Sequence, residues 1–148
     1  MSINNLRKGR VSQAFAEYFI TFNCHRRTPF FLQFDLACLF CWHLQQHELK
    51  CHCQWLTWVL MPDHFHGLLR LQQDNLHETI GQFKGACAAD INKLLRRTGK
   101  IWQPGYYDRK LRVEEDRLEI ARYIAANPLR KNLVSNLGEY PFWNSHYL

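Results

Sequence analysis

The sequence has 148 residues, 47% of them hydrophobic, which is enough for one packed core and too little for two independent domains. The 19 Lys and Arg residues outnumber the 13 Asp and Glu residues, so the formal net charge is +6 and favours a polyanionic partner. No apolar run reaches the roughly 18 residues of a membrane-spanning helix, and the polar start of the chain lacks the apolar stretch of a secretory signal. We therefore expect a single soluble, cytoplasmic domain over residues 1–148.

The predicted elements begin with a strand. Aromatic and β-branched residues over 18–24 predict a first strand, and apolar residues at three- and four-residue spacing predict a helix of about four turns within 34–49. The apolar runs 51–60 and 64–71 flank Met61-Pro62-Asp63, whose Pro-Asp pair is typical of a turn. These two runs predict an antiparallel hairpin.

The second half of the chain predicts helix, strand and helix. Asn75 is a predicted N-cap for a helix that has Glu78 at its third position and stops at Gly99. A fourth strand is expected within 107–113, and a last helix from about Glu115, ended by Asn127-Pro128. The first six elements match an α+β, ferredoxin-like split β-α-β sandwich, an antiparallel sheet with helices on one face, followed by the C-terminal helix. Residues 1–14 are expected to be a basic arm and 136–148 a surface tail.

Two histidines lie two residues apart in the predicted second strand of the hairpin. Side chains at this spacing project from one face of a strand, so His64 and His66 would direct two imidazoles toward one point. Two neutral imidazoles so placed form half of a divalent-metal site. The pair alone is also compatible with two ordinary polar residues on a solvated strand, so its meaning depends on its surroundings.

Three motifs in order supply those surroundings. They are MPDHFHGLL at 61–69, WQPGYYD at 102–108 and YIAANPLR at 123–130. Together they resemble the REP-associated tyrosine transposases, which are single-tyrosine members of the HUH nuclease class. The resemblance extends from about Tyr18 to Trp143.

The resemblance implies a metal-dependent endonuclease or transposase for single-stranded DNA. By this resemblance His64 and His66 bind the divalent ion, Mg²⁺ or Mn²⁺, and Tyr123 is the nucleophile on the C-terminal helix. Cleavage at or near palindromic, REP-like hairpins would leave a covalent 5′-phosphotyrosine and a free 3′-hydroxyl, from which strands can be rejoined. Asn127, four residues after Tyr123 on the same helical face, is a candidate metal ligand or simply a helix C-cap. Glu119, four residues before Tyr123, is a weaker ligand candidate.

Basic and aromatic residues predict the DNA contacts. The candidates are Arg7, Lys8, Arg10, Arg26, Arg27, Trp102, Tyr106, Arg109, Lys110 and Arg112. Trp102 and one of Tyr106 and Tyr107 fit a core position better than a DNA contact, and these two tyrosines are also rival nucleophiles. We expect single-stranded or hairpin DNA as the partner, no membrane, association with the nucleoid during action, and a monomer, with a dimer as the alternative.

The cysteines permit a different function. Cys38-x2-Cys41 and Cys51-x-Cys53, with His43, His47 and His52 nearby, offer ligands for a structural zinc ion. The alternative is thus a zinc-stabilised nucleic-acid-binding module, or a catalytically silent regulatory protein that retains the fold. Without zinc, the cysteines are expected to be reduced and mostly buried.

Overall fold

The computed structural model describes residues 15–72 and 75–148 of the chain. The strands are β1 (Glu17–Asn23), β2 (Cys53–Met61), β3 (His64–Leu71), β4 (Tyr107–Lys110) and β5 (Trp143–Ser145), and the helices are α1 (Phe34–Cys51), α2 (Leu76–Leu95), α3 (Arg117–Ala125) and α4 (Asn127–Arg130). Short 3-10 turns occupy His25–Arg27, Phe30–Leu32 and Leu137–Glu139. Among the described residues, no helix combines the length and apolar character needed to cross a membrane.

The strands form one antiparallel sheet in the order β4-β1-β3-β2-β5. The first four strands have the neighbours expected of a ferredoxin-like sandwich, so the predicted α+β fold is confirmed. The fifth strand corrects the prediction that 136–148 is only a surface tail. Val59 and Thr57 of β2 pair with Trp143 and Ser145, so the aromatic tail completes the sheet edge.

Alternation along the strands gives the sheet two apolar faces. Ile20, Phe22 and Phe65 lie in the core under α1 and α2. Leu68 and Val59 point the other way and pack with Ile124 of α3 in a smaller core. Each fully buried large apolar side chain contributes on the order of 2 kcal/mol. We call the second side of the sheet, which also carries His66, the α3 face.

Both long helices end with a left-handed residue rather than at glycine. The Asn75 side chain accepts a hydrogen bond from the Glu78 amide, which confirms the predicted N-cap of α2. Arg96, with φ 53°, ends α2, so the prediction that Gly99 stops the helix is wrong. Gly99 has φ 105° in the following turn, where its carbonyl accepts from the Asn92 side chain at 2.8 Å.

The last helix begins and ends differently from the prediction. Asp116 caps α3 by accepting from the amides of Leu118 and Glu119. Glu115 lies outside the helix and accepts a hydrogen bond from Arg109. Pro128 does not end the helical region, because proline is tolerated in a first turn and here helps to begin α4. A bend at Ala126 therefore connects two helices on the α3 face.

Candidate active site

His64 and His66 lie at the start of β3, a central strand. Their ring centroids are 4.7 Å apart on the α3 face, while the Phe65 ring between them enters the opposite core. The prediction that the two imidazoles share one face is confirmed. His66 is paired across the sheet with Thr21 of β1 and Val59 of β2, so its backbone is fixed from both sides.

One ring nitrogen of each histidine is held by a neighbour. His64 Nδ1 is 2.7 Å from Asp63 Oδ1, and His66 Nδ1 is 2.7 Å from Thr21 Oγ1. An ionised carboxylate only accepts hydrogen bonds, so Nδ1 of His64 carries the proton and its Nε2 keeps a lone pair. Asp63 also accepts from Arg27 Nε at 3.0 Å, which fixes the carboxylate in turn.

Both histidines are held in the neutral form. Burial lowers the pKa of His64, and it lowers the pKa of His66 to about 3, with the charges of His64 and Arg130 acting in the same direction. Partial burial of Asp63 acts to raise its pKa, but the hydrogen bond and charge of His64 and the charge of Arg27 outweigh it and lower the pKa. A neutral imidazole has one unprotonated nitrogen; in His64 it is Nε2, and in His66 the contact with Thr21 is compatible with either ring nitrogen.

This donor set fits half of a divalent-metal site. Two imidazole nitrogens suit Mn²⁺ better than Mg²⁺, which prefers oxygen ligands. Within residues 15–72 and 75–148, no group of three or more His, Cys, Asp and Glu side chains is arranged to hold a metal ion. Glu119 therefore does not complete the histidine pair, and a third protein ligand would have to be of another type, such as Asn127.

Tyr123 lies in the last turn of α3 with 57% of its surface exposed. The bend between α3 and α4 folds Arg130 back over it, with the guanidinium carbon 4.2 Å from the centre of the phenol ring. The same side chain donates to the Tyr123 carbonyl at 2.8 Å. The charge of Arg130 also lowers the pKa of His66.

Asn127 is buried at the bend, with 4% of its surface exposed. Its side-chain amide donates to the carbonyl of Ile124 at 3.1 Å, which closes the end of α3. This contact uses the amide nitrogen and is compatible with either of the predicted roles, a cap or a ligand through the amide oxygen. The ligand role stays a prediction.

A cavity of about 390 Å³ adjoins Tyr123 between β1, β4 and α3. Its lining consists of Phe19, Tyr107, Arg109, Glu119, Ile120 and Tyr123. The Phe19 ring lies 5.9 Å from the His66 ring, so one wall of the cavity touches the histidine pair. The volume is within the range of about 300–1,000 Å³ that is typical of ligand pockets.

Comparison with known proteins identifies the family. The family model described as "Transposase IS200 like" matches residues 13–127. The chain belongs to the IS200-like transposase family. A REP-associated tyrosine transposase of Escherichia coli K12 is 26% identical over 96 residues, which cover 61% of this chain and 53% of that protein. An uncharacterised protein of Haemophilus influenzae is 28% identical over 93 residues, 48% of this chain and 52% of its own length. The chain thus spans about half the length of these curated relatives.

Two solved structures share the fold. A REP-associated tyrosine transposase bound to a REP hairpin superposes with a TM-score of 0.76 at 20% identity, covering 90% of this chain and 79% of that one. A candidate transposase from Deinococcus radiodurans R1 gives a TM-score of 0.58 at 22% identity, covering 78% of this chain and 93% of the other. The resemblance seen in the three motifs is confirmed.

The predicted basic DNA contacts of this IS200-like chain fall in three places. Arg7, Lys8 and Arg10 lie outside the described residues. Arg26 and Arg27 are exposed beside the histidine pair, and Arg27 is tied to Asp63 and to Asn23. Arg109, Lys110 and Arg112 are exposed at β4 and just after it, where Arg109 pairs with Glu115 at 2.6 Å.

Two of the predicted aromatic contacts are corrected. Trp102 is 6% exposed, its ring packs edge-on to Phe22, and its indole nitrogen donates to the Lys84 carbonyl at 3.1 Å. Tyr106 is 5% exposed. Neither ring is free to stack on a base, and buried Tyr106 is a poor rival nucleophile. Tyr107 is 55% exposed and lines the cavity.

The zinc alternative has no ligand set, because no group of metal-binding side chains forms among the described residues, which include every candidate ligand. Two of the three nearby histidines are held by other partners through Nε2, His43 by Asp90 at 2.8 Å and His47 by the Thr79 carbonyl at 2.9 Å. Burial raises the pKa of the Cys41 thiol to about 12, which keeps it protonated. The six cysteines are free, and four of them are buried, as expected of reduced thiols.

Sequence reasoning missed three residues around the transposase site. Thr21 could have been found only from the register of β1 against β3, which motifs do not contain. Asp63 and Arg130 lie within the motifs themselves, next to His64 and at the end of YIAANPLR. The available signals were the carboxylate of Asp63 next to the candidate ligand His64, and the positive charge of Arg130 at the end of the motif that begins with Tyr123.

Proposed function

We propose that the chain is a metal-dependent endonuclease and transposase for single-stranded DNA, which cleaves at or near REP-like hairpins and becomes attached to the 5′-phosphate through Tyr123. The observation that carries the proposal is the exposed Tyr123 phenol beside Arg130, on the face of the sheet where the His64 and His66 rings lie 4.7 Å apart. A relative that is a REP-associated tyrosine transposase, and a fold shared with one bound to a REP hairpin, support this substrate.

The histidine pair would hold a divalent ion. His64 and His66 supply the nitrogens and Asn127 a possible amide oxygen, with Mn²⁺ or Mg²⁺ as the ion. When bound, the ion supplies Lewis-acid stabilisation of negative charge on the scissile phosphate. Asp63 and Thr21 keep the two imidazoles in place and so reduce the reorganisation that binding requires.

Tyr123 would perform the covalent step. Its hydroxyl releases a proton to solvent, and the phenolate oxygen attacks phosphorus. A new bond forms between phosphorus and the tyrosine oxygen while the bond to the 3′-oxygen breaks, and that oxygen takes up a proton to become the 3′-hydroxyl. The bond energy stays in the phosphotyrosine, so the reverse step can rejoin strands.

Nearby cations would position the phosphate. The side chain of Arg130 contacts the Tyr123 ring. Arg130, Arg27 and Lys131 all lower the pKa of His66, so three positive charges act on this side of the sheet. Bases must be unstacked for in-line attack at a phosphate among these groups, so a single-stranded flank of a hairpin is favoured over intact duplex. We expect a monomer to suffice, associated with the nucleoid through its DNA, and sedimentation in the presence of a hairpin would distinguish a dimer.

The covalent intermediate is the direct test. End-labelled hairpin oligonucleotides with single-stranded flanks are incubated with the protein and Mn²⁺ or Mg²⁺, and adducts are resolved on denaturing gels. Wild type is expected to form the adduct, and Tyr123→Phe to form none above background. Tyr147→Phe is the matched control, because that hydroxyl donates to Glu17 at the far end of β1, at 3.4 Å. An adduct that persists in Tyr123→Phe contradicts the proposal.

Metal dependence is tested on the histidines. His64→Ala and His66→Ala are expected to lower Mn²⁺ affinity, measured by calorimetry, by at least about tenfold, with a parallel loss of adduct. His146→Ala, an exposed histidine just beyond β5, is the control. Full adduct formation in excess chelator contradicts a metal-dependent reaction.

A further inference from the structure

We infer that the cavity beside Tyr123 is a subsite for one unpaired nucleobase that bears an exocyclic amino group and lies next to the scissile phosphate. The inference rests on the proposed function, since it takes the strand to be the substrate of Tyr123. The two charged residues of the cavity, Arg109 on β4 and Glu119 on α3, lie outside the three motifs and the histidine pair.

The position of the cavity matches a nucleotide adjoining the cleavage point. Thr21 of β1 pairs with His66 on one side and with Tyr107 on the other, so the three residues form one row across the sheet. At about 4.8 Å per strand, Tyr107 is roughly 10 Å from His66. Tyr123 forms another wall, so a strand whose phosphate meets the phenol must place a neighbouring nucleotide at the cavity.

The walls have the chemistry that holds a base. Phe19, Tyr107 and Tyr123 contribute aromatic rings, and the two tyrosines are more than half exposed although they are large and partly apolar. Exposed aromatic rings beside a cavity are stacking platforms for unpaired bases, because every base has a π-face. A simple hydrophobic ligand is disfavoured by the two charged side chains in the same lining, Arg109 and Glu119.

Glu119 determines which edge of the base is recognised. A carboxylate accepts hydrogen bonds and repels phosphate, so the group facing it has to be a donor. Adenine, cytosine and guanine offer exocyclic amino hydrogens, whereas the single donor of an unpaired thymine, its ring N3–H, is flanked on both sides by carbonyl oxygens that a carboxylate repels. Arg109 is anchored to Glu115 at 2.6 Å and is therefore fixed at the rim, where it can meet the backbone of the same nucleotide.

Binding measurements test the subsite separately from cleavage. In the Tyr123→Phe background, hairpins whose flanking positions are A, C, G or T in turn are titrated by fluorescence anisotropy. At one position thymine is expected to bind about tenfold more weakly than the best amino-bearing base. Glu119→Gln should reduce that ratio below about threefold, because an amide both donates and accepts. Glu139→Gln, an exposed glutamate in the 3-10 turn before β5, should preserve it.

The stacking role of Tyr107 is tested by a separate substitution. Tyr107→Ala is expected to weaken binding of the flanked hairpin about tenfold while a hairpin without a flank binds unchanged. Trp42→Ala, which removes an exposed aromatic ring from the middle of α1, should affect neither.

The outcomes separate the two proposals. An unchanged base preference in Glu119→Gln, together with unchanged flank affinity in Tyr107→Ala, overturns the subsite even if wild type forms the tyrosine adduct. A base preference that depends on Glu119 without any adduct in wild type overturns the proposed reaction and leaves the subsite standing. Absence of oligonucleotide binding overturns both.

Discussion

His66 is an unusual histidine because burial and nearby positive charges all oppose its protonation. Its Nδ1 is satisfied by Thr21, burial is the largest effect on its pKa, and the charges of Arg130, Arg27 and Lys131 add to it. The same cations suit a phosphate, which would neutralise them. The residue therefore combines a neutral imidazole with a positive environment, which suits a polyanion beside it.

The neutral state of His66 predicts a pH dependence of stability. Its pKa falls from an ordinary 6.5 to about 3 in the folded protein, so the unfolded chain takes up the proton first as the pH falls. Stability is therefore full above pH 6.5 and is lost between about pH 6.5 and 3, by on the order of a few kcal/mol. Urea denaturation in chelator, from pH 8 to 4, should show a steeper loss for wild type than for His66→Gln. Equal slopes would contradict this account.

Gly67 predicts a steric limit directly after the histidine pair. A Cβ at this position would lie 2.6 Å from one Trp55 ring atom and 2.9 Å from the Phe65 ring. Gly67→Ala should therefore destabilise the protein by about 1–3 kcal/mol in urea denaturation. The control is Gly85→Ala on α2, where an added Cβ meets nothing within 4 Å, and this change should stabilise by about 0.5–1 kcal/mol. Equal effects would refute the packing argument.

At the scale of elements, α3 is the short helix that carries Tyr123, the proposed nucleophile. It is fixed at its start by the Asp116 cap and by Arg117, whose guanidinium donates to Glu17 at 2.8 Å and 3.0 Å. At its end Arg130 of α4 folds back onto Tyr123. A nine-residue helix has few contacts of its own, so these anchors hold the phenol on the α3 face.

The effect of the α3 cap on the adduct rate can be separated from its effect on the free energy of unfolding. Asp116→Ala should cost about 0.5–2 kcal/mol and lower the adduct rate per folded molecule, because it loosens the helix that carries Tyr123. Asn75→Ala removes the equivalent cap of α2, which bears no proposed site residue, and should lower stability alone. The measurements are urea denaturation and single-turnover adduct kinetics. A rate loss of the same size in Asn75→Ala would show that the α3 cap has no special role.

Elements with a strong local pattern could be predicted, and those fixed by distant contacts could not. The strands and helices around the hairpin follow from apolar periodicity, and Asn75 from cap chemistry. Strand β5 has only three residues and forms because β2 offers it a free edge, which no local pattern shows. The composition around Trp102 and Tyr106 fits both DNA contacts and a core, and the packing of Trp102 against Phe22 confirms the core position.

At the scale of the whole molecule, one face of the sheet packs on the larger core and the other carries the proposed active site. The larger core under α1 and α2 holds the central strands rigid, and the α3 face carries the histidine pair, Tyr123 and the cavity. His64 and His66 are far from α3 in the sequence. They share a face of the sheet with it because β3 is a central strand and α3 packs on that face. The motifs predicted which residues belong to the proposed site, and the topology explains how the fold brings those residues together.

The covalent residue is the central claim, and mass spectrometry of the trapped adduct tests it most directly. Wild type incubated with a flanked hairpin and Mn²⁺ is digested with nuclease and protease, and the modified peptide is sequenced. The account predicts a nucleotide joined through phosphate to Tyr123. Modification of Tyr107 instead, or of any other residue, would contradict it, as would the absence of an adduct in a protein that binds both the hairpin and the metal.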